Sequence, residues 1–379
     1  MRRRLLLVLV ALAAASPAEA AVDPPPSSAR AVLVATGKGE VLYARNAARE
    51  LPMASITKLM TAIVVLDRKR PGDLVTVRAT AAAVGESSVH LQVGEKLTVR
   101  DLLAAALIQS ANDAAFALAA GTAGDVSRFV GLMNAKARRL GLTHTRFVRP
   151  DGLDVPGHYS SARDILKLAR TAMKKPLVRR LVARRSAKIG GGRSLFAWND
   201  LLGRYPGLIG VKTGHTNAAG WCQVAAARRD GVTIYTVVLG SPSRARRNAD
   251  LASLLAWGQD LFGRVQVVSR GQTYATSAIR LREDRLPLVA ARAVSVVVRV
   301  DQSLVETVVA PGLVSGSVTA GARLGEVQVT QRRKVVARAP LVAARRVEEP
   351  GFGHKLSWYS ERTLDEAGDL LEGVFGSVL

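Results

Sequence analysis

The spacing of apolar residues predicts a sheet covered by helices in the first two thirds of the chain. Two short runs, 31–34 and 40–43, flank the turn residues Thr-Gly-Lys-Gly and predict a β-hairpin. Helical patterns follow, and strand-like runs return later. This order is expected of a sheet with helices packed on it. The predicted helices are 56–68, 101–120, 124–140, 161–174 and 248–262, and the later strands are 207–212, 221–226 and 232–239.

After residue 262 the pattern changes to short β-branched runs separated by Gly, Pro or Asp. Such runs are typical of an all-β domain. The sequence therefore predicts a first domain over 21–262, a β-rich domain over 263–348 and a tail over 349–379. The runs that indicate the β-rich domain are 294–300, 305–309, 326–330 and 334–339.

The first twenty residues have the pattern of a secretory signal peptide. Three arginines at 2–4 precede an apolar run over 5–15, and Ala18-Glu19-Ala20 supplies a cleavage site. The apolar run is too short to cross a bilayer comfortably. We therefore predict that residues 1–20 are removed and that the mature protein works outside the cytoplasm.

The tail predicts an amphipathic helix with an acidic polar face. Helices that lie on a membrane usually carry Lys and Arg on that face. Membrane contact, packing on the β-rich domain and binding of a partner therefore all stay open. The apolar face consists of Leu364, Ala367, Leu371, Val374, Phe375 and Val378, and the acidic face of Asp365, Glu366, Asp369 and Glu372.

The chain is strongly basic, with 54 Lys and Arg against 30 Asp and Glu. A basic protein can bind nucleic acid, anionic lipid or an acidic polymer. Because the protein is expected to be exported, nucleic acid is excluded as a binding partner. Cell-wall polymers and the anionic membrane surface remain as candidate partners, and the alternative is a solvated basic surface without a partner. Cys222 is the single cysteine and is expected to be a small buried apolar residue. The five histidines lack metal-ligand spacing, so we predict no metal and no cofactor.

Three short polar motifs interrupt the apolar patterns. Ser-Ile-Thr-Lys at 55–58 opens the first predicted helix, Ser-Ala-Asn at 110–112 lies at a break in an apolar segment, and Lys-Thr-Gly at 212–214 ends a strand. Each motif alone fits an ordinary cap or turn. Together they form the set known from penicillin-binding proteins and serine β-lactamases.

The first motif supplies a nucleophile and its base. Residues three apart on a helix share a face, so Ser55 Oγ and Lys58 Nζ are expected to meet. A serine hydroxyl needs a base, and lysine is one only if its pKa falls. Burial lowers the pKa of Lys58, and the cation of Lys212 is expected to lower it further. Ser110 is then expected to relay a proton to the departing amine, and the backbone N–H groups of Ser55 and His215 are candidates for an oxyanion hole.

The remaining motif residues are expected to bind substrate. Asn112 is expected to orient the lysine or to hold a substrate amide. Lys212 and Thr213 are expected to bind a substrate carboxylate. The strand that leads to Lys212 suits pairing with an extended peptide. Gly214 leaves room for close approach of another backbone.

The segments around the motifs resemble the D-alanyl-D-alanine carboxypeptidases, the low-molecular-mass penicillin-binding proteins of serine peptidase family S11. The resemblance covers about 28–262 and weakens through the β-rich part. It implies an α/β (α+β) transpeptidase/β-lactamase-like catalytic domain, with an antiparallel sheet flanked by helices, followed by a small all-β domain. The segments that carry it are 53–62, 107–114, 151–154, 157–162 and 210–216.

The resemblance also implies a reaction, partners and a location. Ser55 would attack the bond between the last two D-alanines of a peptidoglycan stem pentapeptide, and water would later release the tetrapeptide. β-Lactams would acylate the same serine and stay attached as inhibitors. Arg247 resembles a family arginine that helps to bind the terminal carboxylate. The location implied is the periplasm or cell envelope, with the tail as a candidate peripheral contact to the inner membrane.

Three other functions remain open. A peptidoglycan DD-endopeptidase would use the same Ser55 on a different bond. A class A β-lactamase needs a loop glutamate, and the corresponding stretch 151–161 contains none. The third alternative is a wall-binding protein with a silent site. Stable labelling by a fluorescent penicillin and release of D-alanine from a pentapeptide distinguish these functions.

Overall fold

The computed structural model describes residues 7–10, 23–353, 356–358 and 360. These residues divide into two compact units, one over 23–261 and one that begins at Phe262 and includes the strand 7–10. The rest of the predicted signal peptide lies outside the described residues, as does the predicted tail helix. In the described part of the chain, no helix is long and apolar enough to cross a membrane.

The secondary structure alternates between helices and strands only in the first unit. Its helical segments are a 3₁₀ turn (Ala54–Thr57), α1 (Lys58–Leu66), α2 (Ala79–Ala82), α3 (Val99–Ala104), a π-helical turn (Ala105–Gln109), α4 (Asn112–Ala123), α5 (Val126–Arg139), α6 (Ala162–Met173), α7 (Pro176–Val182) and α8 (Arg244–Asp260). The strands of both units, in chain order, are β1 (Leu7–Val10), β2 (Ala31–Thr36), β3 (Val41–Arg45), β4 (Leu74–Thr76), β5 (Lys96–Thr98), β6 (Ser186–Ile189), β7 (Arg193–Phe196), β8 (Leu208–Thr216), β9 (Gly220–Arg229), β10 (Val232–Ser241), β11 (Phe262–Val268), β12 (Thr273–Ile279), β13 (Arg285–Ala290), β14 (Val294–Arg299), β15 (Val305–Pro311), β16 (Leu313–Val314), β17 (Arg323–Gln331) and β18 (Lys334–Ala343).

The first unit is built on a five-stranded antiparallel sheet in the order β3-β2-β10-β9-β8. Side chains alternate between the two faces of each strand. One face carries Leu33 and Val237, which belong to a large apolar core shared with the helices. The other face carries Val34 and Ile234, which approach Gly258 of α8. Helices therefore cover the sheet, as predicted, and β8 lies at its edge.

The predicted helix over 101–120 is interrupted. α3 continues into the π-helical turn, which ends at Ser110, and α4 begins at Asn112. Ser110 has a left-handed φ of +68°, a conformation that is uncommon for a residue with a side chain. Because most residues of 101–120 are apolar, periodicity alone predicts one continuous helix. α7 and the β6–β7 hairpin were not predicted.

The second unit consists mainly of strands. Seven strands pair in the order β1-β15-β17-β18-β13-β12-β16, and β11 pairs with β14. Their inward side chains form a separate apolar core, which includes Leu286, Leu288, Val327 and Leu341. The all-β character predicted after residue 262 is therefore confirmed, although the strands β11 to β13 and β16 were missed.

Candidate active site

Ser55 and Lys58 meet at the start of α1. Ser55 lies in the 3₁₀ turn, and Lys58 is the first residue of the helix. Lys58 is fully buried, and its Nζ lies 2.8 Å from Ser55 Oγ, 2.7 Å from Asn112 Oδ1 and 2.8 Å from the Asp151 carbonyl oxygen. A neutral amine has two N–H donors and one lone pair. The amide and carbonyl oxygens can accept both N–H groups, so the lone pair is left for the Ser55 hydroxyl.

The second motif is fixed by its backbone. Asn112 donates its backbone N–H to Ser87 O at 2.7 Å and its Nδ2 to Gly85 O at 3.1 Å. These bonds hold the start of α4 after the left-handed turn at Ser110. Ser110 Oγ accepts a hydrogen bond from Lys212 Nζ at 2.9 Å. The turn therefore brings a hydroxyl between the first and third motifs.

The third motif lies on β8, at the edge of the sheet. Lys212 is 2% exposed, and its Nζ also donates to the Thr213 carbonyl oxygen at 2.9 Å. A Cβ on Gly214 would lie 2.9 Å from both Ala54 Cβ and Ser55 N, closer than real Cβ atoms approach. Gly214 is therefore required for the edge strand to approach the serine turn. The imidazole of His215 lies against Trp221, with ring centroids 4.1 Å apart.

The two lysines share one buried site and compete for protons. Burial lowers the pKa of Lys58 to about 8, while the Asp151 carboxylate acts in the opposite direction. Burial lowers the pKa of Lys212 well below its usual value, and the charges of Lys58 and Arg247 lower it further. Two coupled amines titrate as a pair, so a proton on either one disfavours a proton on the other. Burial is the largest cause of the lowered pKa of both lysines, and the charge of Lys58 lowers the pKa of Lys212 further.

A loop packed behind Lys58 was assigned no catalytic role from the sequence. Asp151 is fully buried and accepts hydrogen bonds from Arg149 Nε at 2.6 Å and Nη2 at 2.8 Å. His158 Nδ1 accepts from the Val148 N–H, so its Nε2–H donates to Thr57 Oγ1 at 2.8 Å. Burial lowers the pKa of His158 to about 4, which keeps the ring neutral. The loop thereby supports the serine turn and supplies the carbonyl oxygen of Asp151.

The three motifs open onto a cleft of about 300 Å³. Arg247 is 1% exposed and contacts the face of Trp221 at 5.6 Å, and Arg244 lies 5.6 Å from the Trp198 ring. Asp200 forms ion pairs with both arginines. The hydrogen bond from Arg244 holds the pKa of Asp200 at about 2. The residues that line the cleft are Ser55, Glu86, Ser87, Ser110, Asn112, Leu153, Trp198, Thr213, Gly214, His215, Trp221, Arg244 and Arg247.

Several of these cleft residues lie outside the motifs and were missed. Glu86, Trp198 and Trp221 come from segments that are distant in sequence, and so does Asp200, which pairs with the arginines of the cleft. One signal could have found the tryptophans, because the chain has only four and two of them line the cleft. Among the described residues, no group of His, Cys, Asp and Glu could hold a metal ion. Cys222 is buried, and burial raises the pKa of its thiol to about 11.

Relatives with known names share most of this chain. The family model described as D-alanyl-D-alanine carboxypeptidase matches residues 17–243. The carboxypeptidase DacD of Escherichia coli is 33% identical over 354 residues, which cover 86% of this chain and 89% of DacD. A D-alanyl-D-alanine endopeptidase of Pseudomonas aeruginosa is 36% identical over 270 residues, covering 68% of this chain and 84% of that protein.

Solved structures give the same assignment. Penicillin-binding protein 5 from Haemophilus influenzae is 26% identical with a TM-score of 0.63, covering 86% of this chain and all of that one. Penicillin-binding protein D2 from Listeria monocytogenes, solved in an ampicillin-bound form, is 33% identical with a TM-score of 0.57, covering 62% of this chain and 99% of that one. The transpeptidase-like fold is therefore confirmed. The chain belongs to the S11 family of D-alanyl-D-alanine carboxypeptidases, which are serine hydrolases.

Proposed function

We propose that this protein removes the terminal D-alanine from peptidoglycan stem pentapeptides through an acyl-enzyme on Ser55. One observation carries the proposal: the buried Lys58 Nζ lies 2.8 Å from Ser55 Oγ, and its other two contacts are hydrogen-bond acceptors. A neutral Lys58 can therefore accept the serine proton during attack. The family acts on peptidoglycan peptides and binds β-lactams, which agrees with this reaction.

The reaction proceeds in two steps. Ser55 Oγ attacks the carbonyl carbon of the penultimate D-alanine while its proton moves to Lys58 Nζ. The backbone N–H groups of Ser55 and His215 stabilise the oxyanion. The C–N bond then breaks as Ser110 Oγ passes its proton to the amine of the departing D-alanine and receives in exchange the proton held by Lys58, which becomes neutral again. Water attacks the resulting ester and gives a proton to Lys58, and this proton returns to Ser55 Oγ as the shortened peptide leaves.

The substrate extends along the edge of the sheet. Its backbone adds to β8 as a further strand, and Asn112 Nδ2 or Oδ1 binds a substrate amide. Its terminal carboxylate lies near Lys212, Thr213 and Arg247. A carboxylate at this position raises the pKa of Lys212, because opposite charges favour the protonated amine. A proton held on Lys212 disfavours one on Lys58, so a larger fraction of Lys58 is neutral for catalysis.

The location and domain limits belong to the same proposal. Cleavage after residue 20 would remove the edge strand β1 from the sheet of the second unit. It would release an envelope protein with a catalytic domain over 21–262, a β-rich domain over 263–348 and a tail over 349–379. The relatives are bacterial cell-wall enzymes. Peripheral contact of the tail with the inner membrane is a further element of the proposal.

A DD-endopeptidase is the second candidate function. The observation that supports it is the similarity of this chain to the Pseudomonas endopeptidase, at 36% identity over 270 residues. Its chemistry at Ser55 would be the same, and only the position of the cleaved bond would differ.

The test combines a label with two substrates. A fluorescent penicillin should label the wild type stably and should not label Ser55→Ala. The wild type should release D-alanine from a pentapeptide faster than it cuts a cross-linked dimer. Preferential cleavage of the dimer would replace the first candidate with the second. Rapid turnover of the penicillin would indicate a β-lactamase, and labelling of Ser55→Ala would refute the assigned nucleophile.

A further inference from the structure

Glu86 belongs to a loop that is fastened to the second motif on both sides. Gly85 O and Ser87 O accept hydrogen bonds from Asn112 at 3.1 and 2.7 Å. Ser87 Oγ donates to the Gln109 carbonyl oxygen at 2.9 Å. Glu86 itself has a left-handed φ of +62°, which is uncommon for a residue with a long side chain. The loop therefore holds Glu86 in a fixed position on the wall of the cleft.

The Glu86 carboxylate is exposed on the wall of the cleft, and its charge raises the pKa of Lys58 without an ion pair between them. Among the described residues, neither a hydrogen bond nor an ion pair engages it. The two arginines that line the same cleft, Arg244 and Arg247, are paired with Asp200 instead. The negative charge of Glu86 is therefore available to a ligand in the cleft.

The charged groups that line the cleft differ in sign and in the element that provides them. Arg244 and Arg247 belong to α8, whereas Glu86 lies between α2 and β5. Within the described cleft lining, Glu86 is the single acidic side chain. A bound carboxylate is attracted by the arginines and repelled by Glu86, and a bound cation experiences the reverse. A substrate that has both charges is therefore oriented by them.

We propose that Glu86 binds an ammonium group on the acyl-donor part of the substrate, which is the part that remains on Ser55 after D-alanine leaves. The inference rests on the proposed carboxypeptidase function, and it adds a specificity-determining residue for peptides with a free amine on the side chain that precedes the two D-alanines. Glu86 is a specificity residue, and neither attack nor proton transfer passes through it.

The experiment compares two peptides that end in Lys-D-Ala-D-Ala, one with a free lysine amine and one with that amine acetylated. We expect the wild type to have the higher kcat/KM on the free amine, by about two- to fivefold, as for an exposed ion pair. Glu86→Gln should abolish this preference, and Glu86→Lys should reverse it. High salt should weaken the preference of the wild type.

Asp230→Asn is the matched control. Asp230 is exposed, has a left-handed φ of +48° and does not line the cleft, so its removal causes the same loss of charge elsewhere. It should leave the peptide preference unchanged. Retention of the preference in Glu86→Gln, with an unchanged melting temperature, would overturn the inference.

A second pair of ligands separates this inference from the proposed function. Ampicillin carries an ammonium group on its acyl side chain, and benzylpenicillin lacks it. The ratio of their acylation rates should fall about two- to fivefold in Glu86→Gln. Failure of the wild type to release D-alanine from either peptide would refute the carboxypeptidase function, while a changed penicillin ratio would still support the Glu86 site. An unchanged ratio together with an unchanged peptide preference would refute the site alone.

Discussion

Replacing Asn112 with Asp tests whether Lys58 acts as a neutral base. Asn112 Oδ1 lies 2.7 Å from Lys58 Nζ, so the substitution puts a carboxylate in direct contact with the amine at almost unchanged volume. An opposite charge at this distance favours the protonated amine by about one to three pKa units. The pKa of Lys58, about 8 in the wild type, should therefore rise to about 9–11.

The expected loss of rate follows from the neutral fraction of Lys58. With a pKa of about 8, about a tenth of the amine is neutral at pH 7. In Asn112→Asp this fraction falls about 10- to 1000-fold, and acylation by a fluorescent penicillin should slow by the same factor. The rate should recover as the pH is raised, because the amine itself is intact. A pH–rate profile of acylation measures both effects.

The acid limb of the pH–rate profile is the range in which acylation slows as the pH falls, and its position separates this mechanism from its alternatives. Asn112→Ala removes the acceptor without adding charge, so it should slow acylation without moving the limb above about pH 8. If Asn112→Asp also left the limb near pH 8, the side chain would act on the substrate alone, and Lys58 would not be the titrating base. Asn112→Asp also replaces the Nδ2 donor with an oxygen that faces Gly85 O, and the lost hydrogen bond can lower stability. The melting temperature of the variant must therefore be compared with that of the wild type.

Three other contacts around the cleft give measurable outcomes. Gly214→Ala adds a Cβ 2.9 Å from Ser55 N, and strain of about 1–3 kcal/mol should slow acylation about 5- to 160-fold; an unchanged rate would contradict the close approach. His158 has a pKa of about 4 when folded, so the unfolded chain binds its proton first as the pH falls below about 6.5, and stability should drop by about 3 kcal/mol by pH 4. Denaturant titrations at several pH values should show that His158→Gln lacks this part of the pH dependence of the free energy of unfolding. An equal pH dependence in the wild type and the variant would refute the assignment. Asp200→Asn should raise KM for the pentapeptide with little change in kcat, because Arg247 loses an ion pair; an unchanged KM would exclude this positioning role.

The elements that the sequence predicts correctly are those with local signals. The hairpin β2–β3, the strands β8 to β10 and the helix α6 have periodic patterns and turn residues that act within a few positions. The motif spacing also indicates that Ser55 and Lys58 meet, although the serine lies in a 3₁₀ turn rather than in α1. Local patterns are therefore sufficient for the frame of the catalytic unit.

The features that were missed depend on contacts between distant segments. The left-handed turn at Ser110 costs conformational energy that the apolar sequence around it does not reveal, and the bond from Asn112 to Ser87 helps to offset it. The carbonyl oxygen of Asp151 reaches Lys58 across 93 positions. Every residue has a backbone carbonyl oxygen, so periodicity and motif spacing cannot predict which one contacts Lys58.

Burial, more than any single neighbouring charge, connects the fold to the chemistry. The largest cause of the lowered pKa of both Lys58 and Lys212 is removal from water, which the apolar core around α1 and the π-helical turn provides. The same burial makes each ammonium costly unless its hydrogen bonds are made, so every acceptor around the pair influences where the proton resides. A substitution in the core that admits water should therefore raise the pKa of Lys58 and slow acylation at neutral pH, even though it touches no motif residue. Packing and catalysis are coupled because the core sets the basicity of the amine that activates Ser55.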